Sequence, residues 1–146
     1  MSIQGLVAPR VRSVSLNGRL NGGDWVLSPI SDFNNPSKLS AIFNPGPANV
    51  YGFLDERADS IDDGYFGVDM LHSDAQAQIA NMPANYHLGR SSISFGDGHA
   101  ELHKWLDPVV TEPPMVANTM LFQSGYIQAA NDVDLAWLQL HSTAPR

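Results

Sequence analysis

The residues best suited to acid–base chemistry lie in the middle of the chain. Five positions between residues 87 and 103 carry an imidazole or a carboxylate: His87, Asp97, His99, Glu101 and His103. An imidazole can act as a general base, and a bound cation can polarise a carbonyl group. One open interpretation is therefore a metal-dependent hydrolase of a small ester or lactone, with His87, Asp97 and His99 as its catalytic residues. Against it, the chain has no Gly-x-Ser-x-Gly sequence and no cysteine.

A second chemical feature is a dense acidic stretch. Seven acidic residues fall between positions 55 and 74, opposed there only by Arg57: Asp55, Glu56, Asp59, Asp62, Asp63, Asp69 and Asp74. Hard oxygen ligands of this kind are what Ca²⁺ prefers. The alternative is a solvated acidic loop. The spacing does not match an EF-hand.

Zinc is not indicated, although His99-Ala-Glu101-Leu-His103 looks similar to a zinc-protease helix. That motif needs a glutamate directly after the first histidine, on a helix. Here a turn favours a strand, in which His99 and His103 lie roughly 13 Å apart at about 3.3 Å per residue. We interpret these side chains as part of a solvated sheet face.

The turn is Asp97-Gly98, which predicts a hairpin because a two-residue type I′ turn needs positive φ at both positions. With this tip, Phe95 would pair with Ala100. One face of the hairpin is then apolar and consists of Ile93, Phe95, Ala100 and Leu102. The other face is polar, as in an antiparallel sheet that is covered on one side.

The length and the net charge of the chain limit the kinds of protein to which it can belong. The 146 residues predict a single globular domain over 1–146, in which we expect 1–11 to be loosely ordered. A net charge of −7 argues against nucleic acid as a partner. No apolar run reaches the roughly 20 residues of a membrane span, and the start resembles no signal peptide.

The remaining patterns predict an α+β fold: a small, loop-rich antiparallel sheet with one or two short helices. Residues 12–17 and 49–54 are typical of strands, and 131–132 should open a helix, with Asn131 as its N-cap. In that helix, Trp137 is expected to be a core anchor. It shares a helical face with Val133, Ala136 and Leu140.

These residues also carry a resemblance to a known family. His87 stands nine residues before Asp97-Gly98, and the blocks 13–18, 55–66 and 131–141 are typical of the same proteins. Together the blocks resemble the globular head of the bacterial prepilin-type H-x9-DG proteins, which are similar to type II secretion pseudopilins. The resemblance covers most of the chain from about residue 12. Those proteins begin with a leader and an apolar helix, a pattern that the printed residues before Arg12 do not show.

The resemblance implies a non-enzymatic assembly or structural role in the bacterial cell envelope or periplasm, with other pilin-like subunits or envelope proteins as partners. It also implies a calcium-stabilised loop in the head. By analogy, the expected ligands are Asp55, Glu56, Asp59, Asp62, Asp63 and Asp97. His87 is expected to lie near Asp97 and to fasten the hairpin to the preceding loop.

Overall fold

The main element of the fold is a five-stranded sheet. The computed structural model describes residues 13–21, 32–111 and 126–145, so that 1–11 lie outside the described residues. The strands are β1 (Val14–Asn17), β2 (Tyr51–Asp55), β3 (Tyr65–Phe66), β4 (Gln78–Ile79), β5 (Arg90–Phe95), β6 (Ala100–Lys104) and β7 (Ile127–Gln128). The α-helices are α1 (Pro108–Thr111) and α2 (Val133–Ser142), and short 3₁₀ turns occupy Leu39–Ala41, Pro47–Asn49 and Asp74–Gln76.

The strand order in the large sheet is β3-β1-β2-β5-β6, and β4 pairs with β7 in a separate two-stranded sheet. The α+β prediction is confirmed. The sheet is mixed, however, because β3 runs parallel to β1 while the other pairings are antiparallel. No helix within the described ranges has the length and apolar character to cross a membrane.

Strand β2 contains an irregularity that decides which of its residues are buried. Its pairing with β5 shifts register between Tyr51 and Phe53. An extra residue in one strand breaks the alternation of faces. As a result Tyr51 and Leu54 are both buried although they stand three positions apart, and Phe53 is exposed.

The hairpin of β5 and β6 turns at the predicted place but in a different register. Its pairs include Ser92 with Leu102, Ile93 with Glu101, and Ser94 with Ala100. The amide of Gly98 donates to the carbonyl of Phe95 (3.0 Å), and the amide of Phe95 donates to the carbonyl of His99 (2.9 Å). Gly98 has a φ of 94°, whereas Asp97 does not have a positive φ. The prediction of a two-residue type I′ turn is therefore wrong, and the loop has three residues.

This one-residue shift exchanges the faces of β6, because opposed residues point to the same side of a sheet. Ile93 and Phe95 are buried as predicted. They share their face with His99, Glu101 and His103 instead of the predicted Ala100 and Leu102. Leu102 is accordingly 60% exposed.

Helix α2 begins where the sequence predicts, but its cap and its buried face differ. The cap is Asp132, whose Oδ1 accepts from the amides of Asp134 (2.8 Å) and Leu135 (2.9 Å). The residues of the helix that are buried are Asp134, Leu135, Leu138 and Ser142. Of the predicted face, Val133 and Leu140 are exposed, and Trp137 packs against the core from a half-buried position.

Candidate functional site

Glu56, the residue after β2, is completely buried and anchors the acidic stretch inside the fold. Its Oε2 accepts a hydrogen bond from the hydroxyl of Ser15. Its Oε1 accepts from the hydroxyl of Ser60 (2.9 Å) and from the side-chain amide of Asn81 (2.7 Å). Burial raises the pKa of Glu56 to about 7, although these three hydrogen bonds lower it.

The partners of Glu56 are themselves held by backbone groups. The amide of Met82 donates to the Ser60 hydroxyl (2.7 Å), and the amide of Gly67 donates to Oδ1 of Asn81 (2.7 Å). Glu56 thus joins β1, the loop after β2 and the segment after β4. We call Glu56 with Ser15, Ser60 and Asn81 the Glu56 network. Its geometry is that of a satisfied buried polar cluster.

The neighbouring carboxylates also bind groups of the protein. Asp59 forms a buried ion pair with Arg57, at 2.7 Å from Oδ1 to Nε. Asp62 accepts from the amide of Asp63 (2.8 Å), and Asp63 accepts from the amide of Tyr65 (2.7 Å). These short-range bonds shape the loop between β2 and β3.

The calcium site expected from the sequence stays a prediction. Ca²⁺ takes six to eight oxygen ligands, as a rule about 2.3–2.6 Å away. Within the described ranges, no group of three or more His, Cys, Asp or Glu residues could hold a metal ion. Asp97 is also remote from the others: Tyr51 pairs with Phe95, so the hairpin tip lies beyond the start of β2 and Asp55 at its end.

Asp97 and His99 do come together, at the exposed tip of the hairpin. Nδ1 of His99 lies 2.6 Å from Oδ1 of Asp97, and the His99 amide donates to the same oxygen at 3.1 Å. The backbone hydrogen bond and then the imidazole contact lower the pKa of Asp97. Such a pair orients an imidazole, as a general base requires.

His87 is not part of this pair. It lies exposed in the turn before β5, where its amide donates to the carbonyl of Arg90. Strand β5 separates it from the hairpin tip, since β5 begins at Arg90 and ends at Phe95. The expected contact between His87 and Asp97 is therefore absent, and His87 stands outside any shared site with His99.

The structure brings together a set of rings that the sequence analysis did not predict. We call it the ring cluster, formed by Phe95, His99, His103, Trp105, Trp137 and His141. The centroid of Trp137 lies 3.9 Å from that of His103 and 4.0 Å from that of His141, in stacked geometry. Two rings stacked so close to the centroid of Trp137 must lie on opposite faces of the Trp137 ring. Trp137 is therefore held between two imidazoles.

Burial affects the chemistry of His103 in this cluster. Loss of hydration lowers its pKa, an effect that the nearby Glu101 opposes from 3.6 Å. The predicted solvated face is thus wrong for His103, whose side chain is only 18% exposed. The signal that could have indicated the cluster is the i, i+4 spacing of Trp137 and His141 on one helical face.

Comparison of the chain with protein-family models, with curated proteins and with solved structures gives no significant match in any of the three.

Proposed function

We propose that this chain is the globular head of a prepilin-type H-x9-DG protein, with a structural, non-enzymatic role in the bacterial cell envelope. The observation that carries the proposal is the Glu56 network. A catalytic or ligating carboxylate must offer an oxygen to a substrate or an ion. Glu56 instead is fully buried, and both of its oxygens accept hydrogen bonds from side chains of the fold.

The sequence resemblance adds a second support. Block 13–18 contains β1 and Ser15, block 55–66 contains Glu56 and Ser60, and block 131–141 contains the cap and most of α2. The residues that carry the resemblance are thus largely residues that hold the fold. This is the expected pattern for an assembly module, whose partners would be other pilin-like subunits or envelope proteins.

Cross-linking in the native host tests the proposal. A photo-reactive phenylalanine analogue at the exposed Phe53 of β2 reports on what contacts the outer sheet face. We expect the protein in the envelope fraction, cross-linked to pilin-like subunits; the same analogue at the buried Phe66 is the matched control and should give no such product. A cytoplasmic protein without these cross-links would contradict the proposal.

A hydrolase is the second candidate, favoured by the exposed Asp97–His99 pair. The pair holds an imidazole in a fixed orientation, which suits activation of a water molecule.

Turnover of aryl esters and acyl lactones separates the two candidates. Under the structural proposal, we expect no turnover above background from the purified wild-type protein. Turnover that is lost in His99→Ala and Asp97→Asn but retained in His87→Ala would favour the hydrolase. His87→Ala is the matched control because His87 is exposed and remote from the pair.

A further inference from the structure

A pocket of about 570 Å³ lies between helix α2, the 3₁₀ turn at Asp74–Gln76 and the segment that follows α2. Its walls are mainly apolar and include Phe33, Met70, Leu135 and Leu140. Pockets that bind small molecules typically have a volume of about 300–1,000 Å³, apolar walls and a few polar groups. This pocket is separate from the Glu56 network and from the ring cluster, since it shares no residue with either.

The polar group that distinguishes the pocket is Asp132, the N-cap of α2. Asp132 is among the residues that line the pocket, yet it is only 4% exposed. Oδ1 accepts the amides of Asp134 and Leu135, whereas the buried Oδ2 has no hydrogen-bond partner. A buried carboxylate oxygen without a donor costs free energy, more so when the group is charged. A ligand that supplies a donor would remove this cost.

The charges around the pocket favour a cation. Asp74 and Asp132 both line it, and no Lys, Arg or His is among the described residues that do so. Burial, and then the charges of Asp107 and Asp134, raise the pKa of Asp132. The N-terminus of α2 contributes only about half a positive charge, which these carboxylates outweigh.

We propose that this pocket binds a small organic cation, with an ammonium group at the Asp132 carboxylate and an apolar body against the walls. The apolar walls disfavour a hydrated metal ion, and the missing basic residues disfavour an anion. This binding does not depend on the assembly role proposed above.

Titration with 2-phenylethylammonium, followed by amide NMR spectra, tests the proposal. We expect saturable shifts at the amides of Asp134 and Leu135, which donate to Asp132. 3-Phenylpropionate and 2-phenylethanol carry the same aromatic body without the positive charge, and we expect each to bind at least about tenfold more weakly. Equal binding of the three compounds, or no saturable shift, would overturn the proposal.

Substitutions in the pocket test whether the amine binds there. Asp132→Asn retains a good N-cap residue and removes the charge, so we expect the Kd for 2-phenylethylammonium to rise at least about tenfold. Ala136→Trp keeps Asp132 and fills the pocket from its rim, and should abolish binding. Glu101→Gln, on β6 and outside the pocket, is the control and should bind as the wild type does. Unchanged binding in both pocket variants would show that the amine binds elsewhere.

Discussion

Glu56 shows how a single residue can look functional in the sequence and be structural in the molecule. As one of seven acids between positions 55 and 74 it suggests a cation site. In the structure its partners come from Ser15, Ser60 and Asn81, up to 41 positions away along the chain. Partners at such distances leave no local pattern. The Glu56 network was therefore beyond what sequence spacing could predict.

The raised pKa of Glu56 predicts a pH-dependent stability. Because burial raises it from 4.5 to about 7, the folded protein binds this proton more tightly than the unfolded chain does. The contribution of Glu56 to the free energy of unfolding is therefore greatest below pH 4.5. It falls by about 3 kcal/mol in total as the pH rises to 7. Glu56→Gln should remove this fall, as measured by denaturant unfolding at several pH values.

Asp74→Asn is the matched control for this experiment. Asp74 is exposed and is not among the groups that shift the pKa of Glu56, so the variant should keep the same pH dependence as the wild type. Parallel pH profiles for the wild type and Glu56→Gln would contradict the prediction, since the difference between the two isolates the titration of Glu56.

At the scale of elements, the sequence located the hairpin and α2 but not their faces. The register of the hairpin depends on whether Asp97 adopts a positive φ, a choice that Asp-Gly leaves open. In α2, Leu135 and Leu138 form a second apolar face beside the one predicted around Trp137. In the structure Leu135 and Leu138 are buried, while Trp137 contacts Phe95 of β5 and His103 of β6 in the ring cluster.

Gly98 occupies a position of the hairpin loop at which a side chain should be unfavourable. Its φ of 94° is unfavourable for any residue with a Cβ. Gly98→Ala should therefore lower the free energy of unfolding by about 1 kcal/mol, although the added methyl group would contact nothing within 4 Å. Gly64→Ala is the matched control, with equal space and no positive φ. Equal stability of the two variants in chemical denaturation would refute this explanation.

Trp137 should contribute more to stability than other residues of α2 outside the core. Trp137→Ala removes the ring held between His103 and His141, at an expected cost of about 2 kcal/mol in unfolding free energy. It should also raise the pKa of His103 towards its ordinary value by restoring hydration, which NMR titration measures. Leu140→Ala, on the exposed side of the same helix, should change neither quantity. An unchanged His103 pKa in Trp137→Ala would contradict the packing described here.

For the whole molecule, composition and patterning were sufficient to predict the α+β class, since strand-like runs and one helical segment are local features. The parallel pairing of β3 with β1 was not predictable in this way. It joins two residues of a short strand, Tyr65 and Phe66, to a partner about 50 positions earlier. The pocket beside α2 likewise depends on segments that are distant in sequence, such as Phe33 and Asp132.

The response to calcium tests whether the acidic residues of the chain bind an ion or only groups of the protein. A site that binds Ca²⁺ only in the folded state would raise the melting temperature. Four of the expected ligands instead bind protein groups, namely Glu56, Asp59, Asp62 and Asp63, and Asp97 lies apart from them. We therefore expect superimposable thermal unfolding curves in chelator and in millimolar CaCl₂. MgCl₂ at equal concentration controls for general screening of the net charge of −7. A saturable rise in melting temperature with Ca²⁺, absent with Mg²⁺, would show that the carboxylates rearrange around an ion.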